Sequence, residues 1–210
     1  MKWLVFASAC LSTSLIANTS AVGADGDSRP AAAATGQTLQ DVQAFAAIRD
    51  RRERSLALFV EAGKVIESPR CLNCHPVTAR PTQTDGAIPH QPVVTRGPDG
   101  FGRGGMRCSN CHQAENYDVS GVPGSPKWHL APAVMGWQGK SLGQICRQIK
   151  DPTRNGGLDM AGLVRHMVDD PLVGWAWKPG GDRTPAPGSQ EGFGKLIAAW
   201  AKTGGHCPDD

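Results

Sequence analysis

Along residues 38–66 the apolar positions Leu39, Val42, Phe45, Ala46, Ile48, Leu56, Phe59 and Val60 recur at roughly helical spacing. Thr38, followed three residues later by Asp41, reads as a capping pattern, and Ser68-Pro69 stops the periodicity after Ile66. One helix is therefore predicted over 38–66. Leu142–Lys150 opens behind Ser141 with Gln144 three residues on, and Gln190–Lys202 opens behind Ser189 and ends at Gly204-Gly205. A further helix is predicted over 159–168. In the last helix Phe193, Leu196, Ile197 and Trp200 fall on one face and predict its buried side. Residues 69–137 are too rich in Gly and Pro for long helices or central strands. The predicted fold is mostly α with long Gly/Pro-rich loops.

The N-terminal 24 residues have another pattern. Lys2 precedes an apolar stretch over 3–9, and Val22-Gly23-Ala24 supplies a small-x-small cleavage site, so this segment reads as a secretory signal. A lipoprotein reading, with Cys10 acylated behind Ala7-Ser8-Ala9, is the alternative. Residues 25–37 are Ala, Gly and polar residues without periodicity and read as a disordered leader, leaving 38–210 as a single domain. No later segment has 18 consecutive apolar residues, so no membrane span is expected.

The formal charge of the whole chain is +3, and its basic run over 49–54 is interrupted by Asp50 and Glu53, which argues against a nucleic-acid partner. Hydrophobic residues make up 40% of the 210-residue chain, somewhat less than usual for a folded domain. That shortfall suggests a core filled partly by something other than side chains.

Two motifs say what the filling is. Cys71-Leu72-Asn73-Cys74-His75 and Cys108-Ser109-Asn110-Cys111-His112 are both C-x-x-C-H, the attachment signature of c-type haem. Two thiols at this spacing reach the two vinyl-derived positions on one porphyrin edge as thioethers, and the adjacent histidine binds the iron. A zinc ribbon also uses paired C-x-x-C, but it does not call for a histidine after each pair. The 33 residues between Cys74 and Cys108 are also long for a ribbon. His75 and His112 are 37 residues apart, too close for two separate haem domains, so the motifs predict two covalent haems sharing a single compact cytochrome c domain.

The sixth ligand of each iron separates electron transfer from catalysis, because a Met or His there closes the iron and a vacancy opens it to substrate. His90, in Ile88-Pro89-His90, is the first candidate. His166 on the helix over 159–168 and His129 in Trp128-His129-Leu130 follow, and Met135 would give a His/Met pair. A lone histidine is more often structural, but two distal positions raise the prior here, and two of His90, His129 and His166 are expected to close both irons. Cys146 and Cys207, the remaining thiols of an exported chain, are expected to form a disulfide. Trp128, Trp137, Trp175, Trp177 and Trp200 are expected to pack on the porphyrins.

Ser68-Pro69-Arg70-Cys71, Arg96-Gly97, Met106-Arg107-Cys108, Trp128-His129-Leu130-Ala131-Pro132, Ile145-Cys146, Leu172-Val173-Gly174-Trp175-Ala176-Trp177 and Cys207-Pro208 extend the motif neighbourhoods. Over about residues 40 to 208 the chain resembles an exported dihaem cytochrome family labelled isoquinoline 1-oxidoreductase subunit. The resemblance implies a periplasmic electron carrier whose redox partner protein is a molybdenum hydroxylase. Nothing in the chain looks like a molybdopterin or flavin site, so any hydroxylation belongs to another subunit. The two motifs with a histidine between them also look somewhat like the small dihaem subunit of periplasmic nitrate reductase, though no histidine precedes Cys71 comparably. The expected function is electron transfer between a redox enzyme and the respiratory chain. The alternative is a haem peroxidase or small-oxyanion reductase with one five-coordinate iron.

Overall fold

The computed structural model describes residues 38–210; the secretory-signal and leader readings, and the lipid anchor at Cys10, lie outside the described residues. The predicted helix over 38–66 is broken in two. Asp41 caps a 3-10 turn, Val42–Phe45, by accepting from the Gln43 N–H, and a second start at Asp50, which accepts from Glu53, opens α1, Arg51–Ile66. Asp50, which in the sequence only interrupts a basic run, offers a local acceptor to the first free N–H groups and so sets a new helix start. The segment before α1 folds back along it, its Gln40 N–H donating to Glu61 Oε1 at 2.8 Å.

A short helix α2, Pro69–Leu72, follows at once, with Pro69 at its first turn where no N–H partner is lost. Then come two antiparallel hairpins, the only named strands among the described residues: β1, Thr82–Gln83, with β2, Ile88–Pro89, and β3, Gly102–Arg103, with β4, Met106–Arg107. Both are two residues long and were not foreseen. They matter for what they deliver: β2 leads straight into His90 and β4 straight into Cys108. The Gly97 bend packs onto the second hairpin at φ +69°, where an added Cβ would lie 2.3 Å from the Gly102 carbonyl oxygen, so only glycine fits.

The C-terminal half is helical as expected: α3 Leu142–Lys150, α4 Met160–Asp169, α5 Pro171–Gly174 and α6 Gln190–Lys202. Ser141 and Gln144 form a reciprocal capping box, Asp159 and Ser189 cap α4 and α6, and Gly204 and Gly205 end α6 with positive φ. Helix α6 packs on α1 and α4. Phe59 and Trp200, both fully buried, meet with ring centroids 4.8 Å apart, and the core continues through Leu58, Ile66, Ile145, Ile149, Leu196 and Ile197. Helix α3 is tied to the chain end by the Cys146–Cys207 disulfide, with Cα atoms 5.6 Å apart. Cys71 and Leu72 lie against this core, so the first C-x-x-C-H stands on the helical layer. No helix among the described residues is long and apolar enough to cross a membrane.

Candidate functional site

The two C-x-x-C-H segments are built alike. In the first, the Cys71 carbonyl accepts from the N–H groups of Cys74 and His75, both at 3.1 Å; in the second, the Cys108 carbonyl accepts from Cys111 and His112 at 3.2 and 2.9 Å. Each is one tight helical turn that carries two thiols and an imidazole together. The four thiols are unbonded to one another. Burial, and then the neighbouring Cys74, push Cys71 up to about 12; burial likewise pushes Cys74 up to about 11 and raises Cys108, so all three are protonated thiols at neutral pH.

The histidines are fixed in the same way. His75 Nδ1 donates to the Met135 carbonyl at 2.8 Å, and His112 Nδ1 donates to the Pro123 carbonyl at 2.7 Å. That tautomer leaves Nε2 of each ring with its lone pair free, the arrangement used by metal-binding histidines. Burial depresses His75 to about 3, against the Met135 bond and with help from the charges of His166, Arg96 and His129. Burial also lowers His112, against its bond to Pro123 and with help from His90 and Arg183. Both imidazoles are neutral near pH 7 and able to bind a metal through Nε2.

A third likeness involves glycine. Each accepting carbonyl belongs to a Val-x-Gly segment, Val134-Met135-Gly136 and Val122-Pro123-Gly124. A Cβ on Gly136 would lie 2.9 Å from Val77 Cα and 3.0 Å from the Pro76 carbonyl oxygen; one on Gly124 would lie 2.0 Å from the Glu115 carbonyl oxygen. Glycine thus lets the strand of chain that carries the acceptor press on the residues just after each motif. An aromatic ring then backs each imidazole: Trp137 stacks on His75 at 3.5 Å and 13°, and Trp128 on His112 at 4.6 Å and 10°. The repeat of Val-x-Gly could have been found in the sequence; its pairing with the histidines, 60 residues apart in one case, could not. Gly124→Ala is expected to displace the Pro123 carbonyl and loosen His112 while the far side of the fold keeps its protection. Hydrogen exchange on the variant checks this, and unaltered exchange around 112–124 would contradict it.

One apolar cavity of about 420 Å³ joins the two motifs, lined by Cys74 from the first and Cys108, Cys111 and His112 from the second. His90 and His129 line it too, with Trp128 and Trp175. Arg70, Arg107 and Arg183 line it as well. Arg70, 3% exposed, pairs with Asp85, and Arg183 donates to the carbonyls of Pro179, Gly180 and Gly121. Partial burial acts to raise the Asp85 carboxyl, but two bonds from Thr184 and then Arg70 outweigh it and hold it below its ordinary range.

The remaining predicted ligands separate. His90 lies with its ring centroid 6.0 Å from that of His112. His129 stacks on Phe101 at 4.9 Å, with Nδ1 on the Lys127 carbonyl at 2.5 Å. His166 is exposed on α4, its Nδ1 3.2 Å from Asp170 Oδ2. Met135 is buried in the core and serves His75 through its carbonyl. Three tryptophans stand at the motifs, Trp175 meeting Trp128 edge to face at 4.8 Å; Trp177 packs on Phe193 away from them, and Trp200 meets Phe59 on the buried face predicted for the last helix. Core burial claims the last two because α6 needs its apolar face covered.

No family model matches the chain, and no curated protein or solved structure does. Among the described residues no group of three or more His, Cys, Asp or Glu comes together to hold a bare metal ion. A zinc ribbon requires such a group, whereas a haem takes two thioethers and an axial imidazole from each motif. The donor set of the second motif fits haem, with Cys108, Cys111 and the His112 imidazole all on the apolar cavity, while the first motif reaches that cavity through Asn73 and Cys74.

Proposed function

We propose that this chain is an exported dihaem c-type cytochrome that carries electrons between a redox enzyme, such as a molybdenum hydroxylase, and the respiratory chain of the bacterial envelope. The observation that carries the reading is the matched pair of sites, each with thiols and imidazole on one turn and Nδ1 bonded to a carbonyl. Cys71, Cys74, Cys108 and Cys111 would hold the two porphyrins, and His75 and His112 the irons. Bound haem would supply one-electron redox chemistry at each site.

The chain's own residues do the rest. The Met135 and Pro123 carbonyls orient the two imidazoles and increase their donor strength. Trp137 and Trp128 limit rotation of those rings and exclude water from them. The shared cavity brings both sites within one fold, which suits passage of an electron from one to the other.

A second reading, an enzyme with an open iron at the first site, has one observation behind it: His112 has the His90 imidazole 6.0 Å away besides its stacked Trp128, whereas the aromatic neighbour of His75 is its stacked Trp137. Carbon monoxide distinguishes the two. Rapid binding to one ferrous haem of the native protein supports the enzyme, and refusal by both supports the carrier.

Expression of the full chain in a cell that attaches c-type haem is expected to give a red protein whose two haems stay on the chain after acid denaturation. Cys108→Ala with Cys111→Ala is expected to retain one haem of the two by pyridine haemochrome assay. A colourless native product whose mass is that of bare polypeptide would refute the proposal.

A further inference from the structure

The two imidazoles His90 and His112 meet across the cavity although 22 positions separate them. Two imidazoles bound on opposite sides of one metal, through bonds of about 2.0–2.1 Å, have ring centres about 6 Å apart, since each centre lies roughly 1 Å behind its donor nitrogen. The His90 and His112 ring centroids are 6.0 Å apart, with their planes at 65°. We infer that His90 is the sixth ligand of the iron bound to His112, so that the second haem is bis-histidine and closed. The inference rests on the haem reading above.

The protein prepares His90 for this. The hairpin β1–β2 ends at His90, whose N–H donates to the Pro81 carbonyl at 3.0 Å. Arg80 donates twice to the His90 carbonyl, from Nε at 3.2 Å and from one Nη at 2.7 Å. The ring itself is turned by an Nδ1 bond to the Pro92 carbonyl at 3.0 Å, which sets the same tautomer as in His75 and His112 and leaves Nε2 as the free donor atom. Four hydrogen bonds thus hold the backbone and fix the ring of this half-buried histidine. His90 also lines the cavity with Cys108, Cys111 and His112, the residues that would carry the second porphyrin.

His129 and His166 lack this relation. Neither makes a ring contact with a motif histidine; His129 faces Phe101 and His166 faces Asp170. The assignment therefore separates His90 from the other two candidates on geometry alone.

The test uses the full chain loaded with haem, and the native protein is required to carry two covalent haems; if it does not, the function proposal fails and this one is not reached. In His90→Ala one of the two haems is expected to become high-spin, to bind carbon monoxide, and to return to low-spin when imidazole is added. His129→Ala and His166→Ala are expected to leave that haem low-spin. With the first haem removed by Cys71→Ala and Cys74→Ala, the remaining low-spin haem is expected to become high-spin on adding His90→Ala. If His90→Ala does not accumulate, His90→Met is expected to give one haem the thioether charge-transfer band and a raised potential. The inference is overturned if a dihaem His90→Ala protein stays wholly low-spin. It is overturned equally by carbon monoxide binding that imidazole does not suppress, by an unchanged His90→Met spectrum, or by a low-spin second haem in the single-haem background.

Discussion

Replacing Trp200 with alanine is expected to lower the stability of the fold by about 3 to 5 kcal/mol, the usual cost of removing a buried large aromatic side chain. Trp200 is fully buried between α6 and α1, against Phe59 at 4.8 Å, and its indole N–H donates to the His206 carbonyl at 2.8 Å. Alanine would leave a cavity and an unpaired carbonyl in the same place, and both terms destabilise. The damage should travel. The Gly205 N–H also donates to the Trp200 carbonyl, and Ser55 on α1 links that carbonyl to the His206 N–H, so the end of α6, the chain terminus and α1 loosen together. Cys71 and Leu72 rest on this core, so the first C-x-x-C-H segment is expected to loosen before the second. Urea unfolding of the loaded protein followed by far-ultraviolet circular dichroism measures the loss. A midpoint within error of the native one would show that Trp200 does not hold α6 to α1.

Removal of the Cys146–Cys207 disulfide by a double Cys→Ala change is expected to cost about 4 kcal/mol, the loop-entropy value for a closed loop of about 60 residues. The effect acts mainly on the unfolded chain, which gains freedom when the link is cut. Two signatures follow: the urea midpoint falls, and the m-value rises because the unfolded state becomes more expanded and exposes more surface. Alanine is the right replacement because Cys146 is fully buried, and serine would place an unpaired hydroxyl there. Native protein treated with reductant under the same conditions should approach the double variant. An unchanged midpoint in both would mean that α3 is held by packing alone.

How far the candidate site could be read in advance depends on the range of each interaction. The thiols and motif histidines are local, five positions apiece, and so are legible in the chain directly. The helices α3, α4 and α6 were legible for the same reason, since their caps at Ser141, Asp159 and Ser189 act over three residues. The break before α1 was missed because apolar spacing runs through it, and only the Asp50 acceptor reveals a new start. The hairpins were missed because pairing over two residues leaves no alternation to detect.

The amino-acid order by itself determined the helical class of the fold, the positions of the two C-x-x-C-H motifs and the two cysteines left for a disulfide. All of these follow from residues close in the chain or from simple elimination. Tertiary structure alone decided which carbonyl orients each imidazole, which tryptophans stand beside the motifs, and what His90, His129 and His166 each face. His75 finds Met135 and His112 finds His90 because folded backbone, tight at Gly124 and Gly136, brings distant positions together. Contacts of that range depend on the path of the loops between them, and no local periodicity encodes that path.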